Sequence, residues 1–381
     1  MSMSGEKTLG LYLHIPFCRS KCLYCDFCSF PHPKEDVVEG YVKRLCRDLE
    51  HWAQRCGDYT VDTVYFGGGT PTLLPPDRLS HILETVEGCY KIDTGAEITL
   101  ECNPATGNAD GFSILRKSGF NRISIGLQSA HTDELKRLGR RHDFSQFRNT
   151  YEEIRRAGFE NVSVDVMFGL PEQSSDRFLS TLEQACALSP EHISAYGLSV
   201  EEGTPFSTLQ SRGQLTLPDE EETRSMYFEG VRLLDSHGYV QYEISNFAKA
   251  GHKSRHNLKY WSCEEYLGFG PAAYSDFCGE RFGNSRDLFA YIEGKDIVAE
   301  RDAISHTERM NEYVMLRMRL CEGVSAKDFE TRFGRSFEDL FGARLSRYQK
   351  GGFVKKTDDG YAFTLEGMYV SNAILSEVLN F

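Results

Sequence analysis

From residue 9 to about 200 the chain alternates six short β-rich runs with amphipathic helical stretches, and this rhythm restricts the fold more than any other feature. The runs are 9–15, 61–66, 97–101, 122–127, 161–168 and 192–198. Helical patterns fill 35–55, 76–90, 108–118, 131–157 and 174–188. Parallel neighbours need a long crossover, usually a helix, so the alternation predicts a parallel sheet with helices outside. Six units are fewer than the eight of a closed barrel. The expected fold class is therefore α/β, a partial (β/α)6 TIM-like barrel over residues 1–200.

Polar residues then gather where such barrels do chemistry, at the C-terminal strand ends. A cysteine-rich loop follows the first run, and Gly67-Gly68-Gly69-Thr70-Pro71-Thr72 follows the second. Glu101 closes the third, Gln128 the fourth, Asp165 lies toward the end of the fifth, and Ser199 stands just beyond the sixth. Each marker also has an ordinary reading, since strand-end carboxylates often cap the next helix and glycines often make a tight turn. Their coincidence on one face is what points to a site.

The loop Cys18-Arg-Ser-Lys-Cys22-Leu-Tyr-Cys25 has C-x3-C-x2-C spacing. Three neighbouring thiolates can hold three corners of a [4Fe-4S] cluster and leave one iron open to a small molecule. Cys28 follows at the same short interval, so a closed four-cysteine electron-transfer cluster is a rival. Zinc or a redox dithiol is the third reading, weakened because no second C-x2-C pair lies downstream.

Two more groups carry chemistry. Tyr12 and His14 share one face of the first strand, Tyr24 sits inside the cysteine loop, and Arg140 follows a helical run, placed to pair with a ligand carboxylate. His256-Asn257-Leu-Lys-Tyr260-Trp261 sets a histidine among aromatic rings, a pattern that serves heme ligation. Ordinary shell packing is the bland reading of each.

Residues 201–300 break the alternation and are expected to extend the barrel and carry the aromatic histidine segment. From 301 to 381, helical runs 306–321, 325–332 and 336–350, a hairpin turning at Asp359-Gly360, and a last helix 366–379 suggest a small winged-helix-like α+β module. The formal charge of −13 argues against nucleic-acid binding, which depends on Lys and Arg at phosphates. Twelve cysteines suit a reducing compartment. With no signal-peptide pattern at the start and no transmembrane segment, a cytoplasmic location is expected.

Taken with Tyr12-Leu-His-Ile-Pro-Phe-Cys18, Gly126-Leu-Gln128-Ser and Asp165-Val-Met-Phe-Gly-Leu-Pro171, these motifs give a chain that resembles radical S-adenosylmethionine (SAM) proteins. The resemblance runs nearly full length, to the branch holding oxygen-independent coproporphyrinogen III dehydrogenase and the heme chaperones of the HemW type. The dehydrogenase pattern has a further cysteine where this chain has Phe27, and a long segment before its cluster motif. The H-N-x-x-Y-W run matches the signature associated with heme in the chaperones. Both differences favour the chaperone side. Cys28 departs from many chaperone-like members and leaves ligand exchange open.

The resemblance implies a [4Fe-4S] cluster on Cys18, Cys22 and Cys25, and SAM lined by Tyr12, Tyr24, Gly68, Gly69, Thr70, Glu101, Gln128, Arg140, Asp165 and Ser199. It implies heme at His256, Asn257, Tyr260 and Trp261. Implied partners are an electron donor for the cluster and a heme-accepting protein such as a membrane-associated respiratory enzyme, with a homodimer as the assembly to test. The dehydrogenase activity and a simple iron–sulfur electron carrier stand as alternatives.

Overall fold

A computed structural model describes residues 7–379. Six parallel strands form its centre: β1 Lys7–Ile15, β2 Tyr59–Gly68, β3 Ile92–Cys102, β4 Arg122–Gln128, β5 Asn161–Phe168 and β6 His192–Gly197. Between them run α1 Glu35–Ala53, α2 Pro76–Cys89, α3 Ala109–Lys117, α4 Phe144–Arg156 and α5 Ser175–Ala187. The (β/α)6 arrangement is as the alternation predicts.

The sheet extends past both edges. Beyond β6 come two short strands, β7 Val240–Gln241 and β8 Asn246–Ala248, with β8 antiparallel to β6. Beyond β1 come β9 Tyr266–Phe269, parallel to β1, then β10 Tyr274–Phe277, β11 Glu280–Asn284 and β12 Val298–Ala303, joined antiparallel. The complete order is β12-β11-β10-β9-β1-β2-β3-β4-β5-β6-β8-β7.

Parallel strands covered on both faces usually read as continuous apolar runs; these alternate. Leu9, Leu11, Leu13 and Ile15 of β1 are fully buried in the core, as are Ile123, Ile125 and Leu127 of β4. The intervening residues, Tyr12 and His14 or Arg122, Ser124 and Gln128, take the opposite face of the sheet. The inner face of this open barrel is polar along much of its length. Buried polar groups cost free energy unless they find partners, so that lining has to be satisfied from inside the chain or by a ligand.

Toward the N-terminal halves of the strands it is satisfied from inside. Helix α6, Arg255–Trp261, enters there. Glu97 Oε2 and Oε1 accept the backbone N–H groups of Arg255 and His256, each at 3.1 Å. Thr63 Oγ1 lies 2.8 Å from His256 Nδ1, and Lys259 Nζ lies 2.8 Å from Asp62. His192 bridges Ser163 at 2.7 Å and the Tyr242 hydroxyl at 2.8 Å. The upper halves stay open.

The stretch 131–157 is not one helix. It divides into Thr132–Arg137 and α4, with Gly139 at φ +78° ending the first and a capping box between Asp143 and Gln146 starting the second. That interruption frees Arg140 to reach inward. The C-terminal part holds helices His306–Arg317, Ala326–Phe333 and Ala343–Lys350 beside the antiparallel pair Val354–Thr357 and Gly360–Phe363, with Val324–Ser325 as third strand. Two expected helices are altered: 336–350 opens with a π-helical turn, Glu338–Gly342, and the last one breaks at Val370 into Leu365–Tyr369 and Ser371–Val378. Glu338 folds back to accept the Tyr361 hydroxyl at 2.9 Å, tying that turn to the hairpin. Arg332 donates to the carbonyls of Ser262 and Cys263 at 3.1 and 2.7 Å, fastening this part to the chain leaving α6.

Candidate cluster and nucleoside site

A cavity of about 530 Å³ opens at the C-terminal strand ends. Cys18, Cys22 and Cys25 line it together with Tyr24, Gly68, Gly69, Thr70, Glu101, Gln128, Arg140, Asp165 and Ser199. Tyr12 stands outside this lining. Its hydroxyl pairs with His14 Nδ1 at 3.0 Å, and its ring stacks on Tyr65 and His256.

The three cysteines belong to a loop held at several points. Leu23 N–H donates to Leu138 O and Phe206 N–H to Leu23 O, at 3.0 and 3.1 Å. Leu23 and Tyr24 pack on a small apolar cluster of Leu138, Met167, Leu170 and Phe206. Arg286 grips Asp26 with two hydrogen bonds, at 3.2 and 2.9 Å. Cys28 is turned elsewhere. It is buried, is absent from the cavity lining, and directs Sγ toward Arg286 O at 3.7 Å. Among the described residues no three His, Cys, Asp or Glu side chains converge on one metal-ion position. A tetrahedral zinc with bonds of about 2.3 Å would need that convergence; a four-iron cluster, with one iron per thiolate, does not.

The glycine turn is built for close approach. Gly68 has φ +111°, and a Cβ there would meet the His14 ring at 2.6 Å; at Gly69 one would meet Phe17 O at 2.6 Å. A relay of polar groups crosses the floor: Arg140 donates to Asn103 Oδ1 at 2.7 Å, Asn103 to Thr70 Oγ1 at 2.7 Å, and Thr70 Oγ1 lies 3.6 Å from Cys18 Sγ. Gln128, ending β4, holds φ +66°, a conformation that costs a non-glycine residue energy and often marks a site. Ser199 donates to Glu201 at the rim, at 2.5 Å.

Two carboxyls dominate the electrostatics. Burial pushes Glu101 up to about 7, outweighing hydrogen bonds from the Tyr65 hydroxyl at 2.9 Å and the Gly68 N–H at 3.1 Å. Burial likewise raises Asp165, against hydrogen bonds from Ser194 and Ser124 that favour its anion. Such a wall gains from a ligand carrying positive charge and hydroxyls.

Asn103, Tyr65, Ser124, Ser194, Tyr196 and Glu201 also line the cavity and were not foreseen. Stepping back by four from Gln128 along β4 reaches Ser124 on the same face, so the period-2 rule held that signal.

A second cavity, about 650 Å³, adjoins the first and shares Tyr196 and Asn257 with it. Tyr260, Trp261, Tyr266 and Tyr274 give it aromatic walls. His256 lies behind them, buried, with Nδ1 on Thr63 and Nε2 2.8 Å from the Tyr260 hydroxyl. Burial first, then the charges of Lys259 and Arg122, lower its pKa to about 3, so its imidazole is neutral.

A family model described as the radical SAM superfamily matches residues 12–185, and one described as the HemN C-terminal domain matches 304–370. The heme chaperone HemW of Bacillus subtilis (strain 168) is 35% identical, over 97% of this chain and 98% of that one. This chain belongs to the HemW family of radical SAM proteins. The Escherichia coli (strain K12) heme chaperone HemW is 34% identical over 96% of this chain and 97% of its own. Coproporphyrinogen III oxidase (HemN) of Escherichia coli, a radical SAM enzyme, superposes with a TM-score of 0.84 over 97% of this chain and 90% of that one; at 22% identity the likeness is one of fold. Membership in the radical SAM superfamily implies a [4Fe-4S] cluster and SAM. No helix among the described residues is long and apolar enough to cross a membrane.

Proposed function

We propose that the protein is a heme carrier that keeps the cluster and SAM machinery of its superfamily. Cys18, Cys22 and Cys25 would hold the cluster. Glu101 and Asp165 would face the cationic and hydroxyl-bearing parts of SAM, Gln128 and Arg140 its polar groups, and Gly68–Thr70 would give backbone access. The chemistry a bound cluster would supply there is one-electron reduction of the sulfonium, with the electron delivered by an external donor. The chain's own part is to orient the nucleoside and exclude water, with Tyr24 and Met167 closing the apolar side.

The observation that carries the heme reading is the second cavity, walled by Asn257, Tyr260 and Trp261 and joined to the first through Asn257. Its volume lies within the roughly 300–1,000 Å³ of small-molecule sites. His256 reaches it only when the Tyr260 hydroxyl leaves Nε2, so heme ligation here requires Tyr260 to move. Phe27, two-thirds exposed, supports the carrier over the dehydrogenase, whose pattern places a cysteine there.

The test is an anaerobic incubation of the reconstituted protein with coproporphyrinogen III, SAM and dithionite, beside a transfer assay from the heme-loaded protein to apomyoglobin. The expected result is heme transfer with no protoporphyrinogen IX. Decarboxylated product together with 5′-deoxyadenosine would assign the dehydrogenase activity instead.

Glu101 gives the SAM site a pH signature. Its folded-state pKa is raised, so in the unliganded protein its contribution to stability is present in acid and lost as pH rises from about 4.5 to 7. A cationic ligand favours the ionised form. SAM affinity should therefore rise about fivefold to tenfold between pH 6 and 8, and Glu101→Gln should flatten the profile, read by calorimetry.

A further inference from the structure

The second cavity carries more charge than a heme's aromatic ring requires, and the pairing of that charge is uneven. Arg281 is taken by Asp276 at 3.1 Å and Glu312 at 2.5 Å, and Arg309 pairs with the same two carboxylates. Glu264 is taken by Lys259 at 2.9 Å. Arg319 is different. Its guanidinium donates to the neutral Asn372 Oδ1 at 2.9 Å, its Nε has no partner, and it forms no ion pair among the described residues. Among the described residues, the acid of the cavity wall that forms no ion pair is Glu243, fully buried, with Oε1 accepting Ser245 N–H at 3.2 Å and Oε2 unpartnered.

We propose that Arg319 anchors a propionate carboxylate of the bound heme, setting the edge of the macrocycle at the C-terminal module and its face against Tyr260 and Trp261. This rests on the heme reading given above. A guanidinium offers a planar fork matched to a carboxylate. An unpaired cation in a half-buried wall gains from an entering anion, because its charge has lost water without gaining a counter-ion. Burial holds Arg319 below its ordinary pKa despite Glu243, the sign of a cation short of compensation. Glu243, raised to about 7 by burial, has a protonated form that donates to the same carboxylate. The cavity lining thus combines aromatic rings with a cation that forms no ion pair among the described residues, which suits an amphiphilic macrocycle with its acid groups on one edge.

The experiment compares heme with heme dimethyl ester, whose carboxylates are blocked, in anaerobic titrations of the full-length reconstituted protein. The unaltered protein should prefer heme by about tenfold or more, the value of one charge-assisted hydrogen bond. Arg319→Met should remove that preference by weakening heme alone, and Arg319→Lys should restore part of it. Equal affinity for heme and ester in the unaltered protein would overturn the inference, with no variant needed. So would an Arg319→Met protein that weakens both ligands alike, since that is a structural effect. The heme reading fails separately, and takes the anchor with it, if neither ligand gives a saturable Soret change.

Discussion

Cys22→Ala is expected to abolish the iron–sulfur cluster on anaerobic reconstitution, whereas Cys28→Ala leaves it intact. A single cysteine loss removes one of three protein ligands, and with one iron already open the remainder cannot hold four irons. The same outcome is expected for Cys18→Ala and Cys25→Ala. Cys28 differs because the fold, and not its spacing, decides its role: its Sγ turns to Arg286 O and its carbonyl accepts His14 Nε2 at 2.8 Å, outside the cavity. Iron and sulfide content with the charge-transfer absorption of the cluster gives the readout. A Cys28→Ala protein without cluster would revive the closed four-cysteine electron carrier.

The second large effect is expected far from the cluster, at Glu97. Glu97→Ala should destabilise the protein by about 3–5 kcal/mol in urea denaturation, because it strips a buried cation of its counter-charge and leaves buried N–H groups unpaired. Arg122, almost wholly buried, carries a Coulombic link to Glu97, and both carboxylate oxygens hold the first turn of α6. The same change should weaken heme binding, since α6 carries Asn257, Tyr260 and Trp261 to the cavity. Loss of stability with unaltered heme affinity would mean that the helix is positioned by its aromatic contacts alone.

Much of this was legible in the chain. The six strands came from apolar periodicity, and Glu101, Gln128 and Asp165 came from the rule that strand ends make the site, because parallel topology fixes which end faces the opening. Arg140 was found, though not the break at Gly139 that delivers it, since amphipathicity persists across 131–157. The lower layer was not legible. Glu97 and Arg122 read as ordinary strand residues until α6 folds in beside them, and His192 until the Tyr242 hydroxyl reaches its ring. The histidine run could be seen as chemistry, yet nothing in its pattern says that Thr63 and Tyr260 occupy both ring nitrogens. Local spacing cannot encode such a long-range partner. Likewise Tyr12 alternates with His14, but nothing local signals that its ring stacks on Tyr65 and His256.

Heme is expected to bind beside α6 with His256 as its ligand. The most direct measurement is an anaerobic heme titration of the reconstituted protein followed in the Soret region, with and without His256→Ala. The expected result is saturation at one heme per chain, with the band shifted and affinity lowered about tenfold or more in the variant, where an iron–imidazole bond is lost. A titration that never saturates, or a band identical in the two proteins, would contradict it.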